Sequence, residues 1–370
     1  MRIIIAGGGT AGHINPGIAV SKCIISKNKD SDILFIGTER GLEQELIPAE
    51  GFKIEFIKAR GLTRKLSFDV FFTASDMIRG YIESKKIIKK FKPDFVLGMG
   101  GYVCFPVIMA AVRLGIPTLI HESNSLPGIA NKFLSQFVNI VAVSFKDTEK
   151  LFKKAKTVVF TGNPVREEIF TFSREEARTE EGLQKDSVLV LVFGGSRGAQ
   201  KINESIIDMI KINKGKLPYN LILSTGKTQY EAVVEKLSEG GYPIEMLQNV
   251  KIVSYIYDMP KYLSAADLVI GRAGAVTVSE ITAAGIASIL IPFPFATENH
   301  QEFNARSLEM NGASIVVLDK DLTGDILNQQ ISSLVDNKEQ LARMAKSAKK
   351  MGVLDAAQKI VAVIEEFMNK

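Results

Sequence analysis

Short β-branched runs alternate with longer stretches of helical periodicity along the whole chain. The first half offers Arg2–Ala6, Ile33–Ile36, Ile54–Ile57, Phe95–Gly98, Thr118–Ile120, Ile140–Val143 and Val158–Phe160 as strands. The second half offers Val188–Phe193, Leu221–Ser224, Lys251–Ser254, Leu268–Ile270, Ser288–Ile291 and Ser314–Val317. This alternation is the signature of α/β architecture, with parallel sheets covered by helices on both faces. A Gly-Asn-Pro turn within Thr161–Pro164 follows the last strand of the first half and precedes a charged helical stretch over Arg166–Glu181, so the pattern divides the chain near residue 162. A final helix, about Asp355–Met368, places Ala356, Ile360, Val363, Ile364 and Phe367 on one apolar stripe and fits either half.

Length agrees with the division, since 370 residues are enough for two domains with cores of their own. The net charge of +5 and pI near 8.9 permit a nucleic-acid or anionic-membrane partner and demand neither. Cys23 and Cys104 both lie in apolar stretches, the pattern of reduced, buried thiols in a reducing cytoplasm. The apolar start MRIIIA is too short for a signal peptide. The longest apolar stretch, Tyr102–Val112, contains Pro106 and falls short of the ~20 residues that span a bilayer.

Candidate chemistry gathers where strands run into glycines. Gly7–His13 (GGGTAGH) and Gly194–Asn203 (GGSRGAQKIN) each follow a strand and open a helix, which aims backbone N–H groups and the positive end of a helix dipole at an anion. Gly7, Gly9 and Gly12 also spell GxGxxG. The acidic partner of a dinucleotide fingerprint belongs about 20 residues on, and the nearest, Glu39, lies 27 past Gly12. A P-loop reading fails because His13-Ile14 stands where Lys and Ser or Thr are needed. His13 is either a structural turn residue or a general base at the mouth of the first helix. A further turn, Gly98–Pro106, contains Gly100, Gly101 and Tyr102. It should face the first turn and help to hold a diphosphate, or else be a plain strand-to-helix corner.

In the second half, Gly271–Glu280 (GRAGAVTVSE) follows a strand. Ala275, Val276, Thr277 and Ser279 can meet phosphate at the helix start, and Glu280 can accept hydrogen bonds from a ribose diol. His300, Gln301 and Asn304 enter the next helix, where they can read sugar hydroxyls; each pattern taken alone is also an ordinary helix cap. Asp30-Ser31-Asp32 and Asp319-Lys320-Asp321 spell DxD but read as solvated turns, so neither a metal nor any other cofactor is called for. Lys58–Lys92 carries ten basic residues against Asp69, Asp76 and Glu83, interleaved with Phe68, Phe71, Phe72, Ile78 and Ile82. It reads as a loop and one long helix, with more large apolar positions than one core stripe needs, as on an interfacial membrane surface.

Seven motifs in order, GGGTAGH at Gly7, GMGGY at Gly98, HESN at His121, GNPVR at Gly162, GGSRGA at Gly194, RAGAVTVSE at Arg272 and HQEFNA at His300, resemble those of the MurG family. These are the UDP-N-acetylglucosamine:N-acetylmuramyl-(pentapeptide) pyrophosphoryl-undecaprenol N-acetylglucosaminyltransferases of glycosyltransferase family 28, and the resemblance covers nearly the whole chain. It implies a GT-B fold, two doubly wound Rossmann-like domains facing across a cleft. Residues 1–162 with 350–370 would form the acceptor and membrane-side domain, and 163–349 the donor domain. It implies metal-independent, inverting transfer of N-acetylglucosamine from UDP to the 4-hydroxyl of the muramyl residue of lipid I, with His13 as base. Thr10, Ala11 and Gly12 would meet donor sugar and acceptor, and Asn124 the donor sugar. Arg166, Ser196, Ile256, Ala275, Val276, Thr277, Val278, Ser279, Glu280 and Gln301 would bind UDP-N-acetylglucosamine, Ile256 by its backbone at uracil. Many members have Gly at the position of Ala11, so alanine there is tolerated only if φ is not positive. The implied partners are the nucleotide sugar, lipid I and anionic inner-leaflet lipids, without nucleic acid, at the cytoplasmic face of the cell membrane. Rival readings are a diacylglycerol glycosyltransferase, a hydrolysing sugar-nucleotide epimerase and an NAD-dependent oxidoreductase.

Overall fold

The computed structural model describes residues 1–60, 69–195 and 198–369. The chain forms two compact units, Met1–Arg166 with Val353–Lys370, and Glu167–Gly352.

The first unit holds seven parallel strands: β1 (Arg2–Gly7), β2 (Asp32–Gly37), β3 (Lys53–Phe56), β4 (Phe95–Gly100), β5 (Thr118–Glu122), β6 (Ile140–Val143) and β7 (Val158–Phe160). Their order is β3-β2-β1-β4-β5-β6-β7. β1 explains why such strands read as unbroken apolar runs. Ile3 and Ile5 enter one core with the helices Ala11–Lys27 and Ala356–Met368, while Ile4 and Ala6 enter the opposite core with Ile88, Val107 and Ile108. Successive side chains point to opposite faces, and both faces are covered. The final helix packs here through Ile360, Val361 and Ile364, with Phe367 edge-on to Phe95 at 6.2 Å.

The second unit repeats the plan with β8 (Leu189–Phe193), β9 (Lys216–Ser224), β10 (Gln248–Val253), β11 (Leu268–Gly271), β12 (Ala287–Leu290) and β13 (Ser314–Val316), in the order β10-β9-β8-β11-β12-β13. In both sheets the chain winds outward from the first strand, then returns to that strand's other side. This puts a topological switch point between β1 and β4 and another between β8 and β11, where ligands of open parallel sheets bind at the carboxyl ends.

Two expected elements differ. The helical stretch over Arg166–Glu181 is broken into a 3-10 turn, Glu167–Phe170, and a helix, Arg174–Glu180. Ser173 starts that helix with a reciprocal capping box to Glu176, a stronger local signal than continued charge periodicity. The basic segment forms a helix over Asp69–Phe91; Arg64, Lys65 and Phe68 lie outside the described residues.

Candidate active site

In the first unit the turns after β1 and β4 interlock. Gly100 and Gly101 have φ of +114° and +83°, a region that favours glycine. A β-carbon on Gly100 would overlap the His13 imidazole at its Nδ1 edge, and one on Gly101 would overlap the Gly8 carbonyl oxygen. The second turn therefore faces the first, as the sequence leads one to expect. Cys104 braces the corner, its Sγ accepting from Gly100 N–H at 3.0 Å and lying 3.1 Å from Ala6 O. Burial pushes its pKa up to about 12, against the lowering effect of backbone hydrogen bonds at Gly100 and Met99, so it stays a thiol. Thr10 is exposed and precedes the helix Ala11–Lys27, with Ala11 and Gly12 in its first turn. Ala11 does not have a positive φ, so its methyl group is accommodated. Tyr102 is 62% exposed at the rim.

At the end of β5, Glu122 is buried and accepts from Asn124 N–H, Asn124 Nδ2, Gly128 N–H and Asn131 Nδ2 at 2.8–3.1 Å. It shapes the loop that carries Asn124. His121 lies 3.1 Å from Gly162 O and 3.2 Å from Ser144 Oγ through Nε2. Burial, reinforced by nearby His13 and opposed by the Gly162 carbonyl, lowers its pKa to about 4, which makes it a neutral structural histidine. Arg166 is half-buried at the end of this unit's first segment.

In the second unit β8 runs into Gly194 and Gly195, and the helix Gln200–Ile212 begins just past Gly198; Ser196 lies outside the described residues. Gly198, at φ +75°, sits where any β-carbon would overlap the Thr225 carbonyl, and Asn203 Nδ2 donates to that carbonyl at 3.0 Å. The helix Ala275–Ala284 starts from Gly274 without a side-chain cap, so its first N–H groups are not claimed by a capping side chain. Ala275, Val276, Thr277 and Ser279 are half-buried along it, and Glu280 is 6% exposed. Ser279 Oγ donates to Ala275 O at 2.8 Å. Val278 is 1% exposed, so only its backbone can serve a ligand. Gln301 turns its Oε1 to Phe293 N–H at 3.0 Å, and His300 Nε2 lies 3.3 Å from Glu298. Ile256 is buried in the loop after β10, between Tyr255 and Tyr257, whose rings meet edge-on at 4.9 Å under Lys227.

Two readings need correction. Asn304 is fully buried and donates to Ala273 O at 3.2 Å, so it shapes the turn after β11 instead of reading a sugar. Asp319 is not a solvated turn residue: its carboxylate is paired with Arg272, whose guanidinium also donates to the carbonyls of Ile291 and Pro292. The pair ties the end of β11 to the turn after β13, and the two carbonyl bonds tie it to the end of β12. Asp32 is likewise near Arg2 and Lys53.

Two doubly wound units, each with a glycine turn at its switch point, define the fold class of the two-domain nucleotide-sugar enzymes. Residues 3–143 match the glycosyltransferase family 28 N-terminal domain and residues 189–360 its C-terminal domain. A relative from Acetivibrio thermocellus, named UDP-N-acetylglucosamine--N-acetylmuramyl-(pentapeptide) pyrophosphoryl-undecaprenol N-acetylglucosamine transferase, is 51% identical over 100% of this chain and 99% of its own length. The crystal structure of Acinetobacter baumannii MurG superposes with a TM-score of 0.79 at 30% identity, covering 99% of each chain. A UDP-GlcNAc 2-epimerase from Neisseria meningitidis, bound to UDP-GlcNAc, reaches a TM-score of 0.68 over 99% of this chain and 100% of its own at 16% identity, a likeness of fold alone. The chain belongs to the MurG family of N-acetylglucosamine transferases within glycosyltransferase family 28.

Proposed function

We propose that the protein transfers N-acetylglucosamine from UDP-N-acetylglucosamine to the 4-hydroxyl of the muramyl residue of lipid I, the undecaprenyl diphosphate-linked muramyl pentapeptide, and so forms lipid II for cell-wall synthesis. The observation that carries the catalytic reading is His13 set against Gly100 where β1 and β4 diverge. Its Nδ1 edge faces Gly100, which puts Nε2 on the far side of the ring as the atom that takes the hydroxyl proton. The acceptor oxygen bonds to the anomeric carbon from the face opposite UDP while the bond from that carbon to the phosphate oxygen breaks. The electron pair departs with UDP, and the configuration inverts.

The first unit takes the acceptor, with Gly100, Gly101 and Tyr102 at its diphosphate. The second takes the donor. Glu280 holds the ribose diol, Ile256 meets uracil through its backbone, and Gln301 and His300 address the sugar. The start of the helix Ala275–Ala284, with Thr277, Ser279 and the Gly194–Gly198 turn containing Ser196, meets the charge growing on the departing diphosphate.

A lipid-linked acceptor supports a peripheral position at the cell membrane, here read as its cytoplasmic face. No helix among the described residues is long and apolar enough to cross a bilayer. Ile78 and Ile82, 63% and 48% exposed, share one helix face with Lys86 and Lys89, at spacings of four, four and three. Ile129, Phe133 and Phe137 add exposed apolar area, with Phe133 stacked between Phe105 and Phe137 at 5.7 and 5.2 Å. Anionic lipid is the surface these cations fit.

The test is incubation with UDP-N-acetylglucosamine and a lipid I analogue in EDTA. A β-linked disaccharide product is expected, because Asp319 and Asp32 already face cationic side chains. An epimerised nucleotide sugar without disaccharide would move the protein to the epimerases, and transfer to diacylglycerol alone to the other rival.

A further inference from the structure

Glu43 opens the short helix that follows β2 and is completely buried. A buried carboxylate is costly unless hydrogen bonds meet its oxygens. Here Oε2 accepts from Gly9 N–H at 2.8 Å, while Oε1 accepts from Thr38 N–H at 2.9 Å and Thr38 Oγ1 at 2.8 Å. The surrounding glycines make the slot, since a β-carbon on Gly8, Gly37 or Gly41 would overlap the Glu43 side chain. The carboxylate thus grips the turn at Gly9, one residue from the Gly8 carbonyl that seats Gly101 and four from the His13 that seats Gly100.

We propose that Glu43 is a positioning residue for the transfer reaction: it fixes the Gly7–His13 turn from behind and so sets where the His13 imidazole stands relative to the acceptor hydroxyl. This rests on the assignment of that turn to the acceptor. A carboxylate suits the task because two backbone N–H groups and a hydroxyl converge on its two oxygens. Glutamine keeps the shape but has a single carbonyl oxygen, so one backbone N–H must face an NH2 group. Thr38→Val removes one hydroxyl from the same carboxylate and leaves the bond to Gly9.

The experiment compares wild type, Glu43→Gln and Thr38→Val by steady-state kinetics with a lipid I analogue, donor calorimetry, thermal melting and hydrogen exchange at the Gly9 amide. In the wild type the Gly9 amide should be protected, a measurement that needs no variant to fold. In Glu43→Gln that protection should fall, kcat should drop about tenfold to a hundredfold through misplacement of His13, and donor affinity should stay within about twofold. Thr38→Val should keep kcat near wild type. Free exchange at Gly9 in the wild type, an unchanged kcat in Glu43→Gln, or equal losses in both variants that track melting temperature would each overturn the proposal. Full turnover in His13→Ala would instead remove the base assignment, while Gly9 exchange and the acceptor KM of Glu43→Gln would still report on the turn.

Discussion

Gly100 can only be glycine because His13 occupies the space where its β-carbon would stand. Its φ of +114° adds a second reason. Gly100→Ala must therefore push the imidazole away or strain the turn after β4. The expected result is a fall in kcat of about a hundredfold, since a displacement near 1 Å at a reacting group costs that much. If the other unit holds the donor, as proposed, donor affinity should stay nearly unchanged. Steady-state kinetics with donor calorimetry checks both halves, and an unaltered kcat would show that the contact is not catalytically relevant.

Glu280 is 6% exposed on the first helix beyond β11. If it holds the ribose diol, Glu280→Ala should weaken UDP-N-acetylglucosamine binding by about 1.5–3 kcal/mol, the range for a hydrogen bond to a charged group. Calorimetry on the folded variant reads this directly. Wild-type affinity would remove Glu280 from the donor site.

The neutral, buried His121 links stability to pH. Its folded pKa of about 4 lies below the ordinary 6.5, so between those values the unfolded chain binds more protons than the folded one. The stabilisation from keeping it neutral is fully present above about pH 6.5 and is lost as pH falls towards 4. Denaturant midpoints should decline over that window, and His121→Gln should flatten the decline. An equally steep fall in the variant would assign the effect to other groups.

How far the sequence discloses this arrangement depends on how local each cause is. The central strands among the described residues, such as β1, β8 and β11, are legible because burial on both faces writes continuous apolar runs. β9 begins earlier than its apolar core because its first half, Lys216–Asn220, alternates exposed and buried positions around Pro218. The glycine turns are legible too, since each joins a strand to a helix within a few residues. The Glu43 tether is not: its partner at Gly9 lies 34 residues away, and a Glu at a helix start reads as a solvated first-turn acid. Asp319 hides in the same way, because Arg272, 47 residues earlier, converts an apparent surface turn into a strut. Asn304 reads as a sugar contact from sequence only because the fold that buries it against Ala273 is not written beside it.

Membrane attachment should have two separable parts. The basic face of the helix Asp69–Phe91 should contribute up to about 1 kcal/mol for each cation at an anionic surface, a part that salt screens. Ile78 and Ile82 should add an apolar part that salt leaves intact. Sedimentation with anionic vesicles should show weaker binding when Lys85, Lys86, Lys89 and Lys90 are changed to Gln, and neutral vesicles should show little difference. Equal binding of both proteins to anionic vesicles would refute the electrostatic part.

The most direct test of the account as a whole is turnover and donor affinity measured side by side in His13→Ala. A base that acts only on the acceptor hydroxyl in the transition state predicts a loss of about 10²–10⁴ in kcat with donor affinity nearly unchanged. Near-wild-type turnover in a folded His13→Ala protein would contradict the assignment of His13 as the base and with it the catalytic reading of the paired glycine turns.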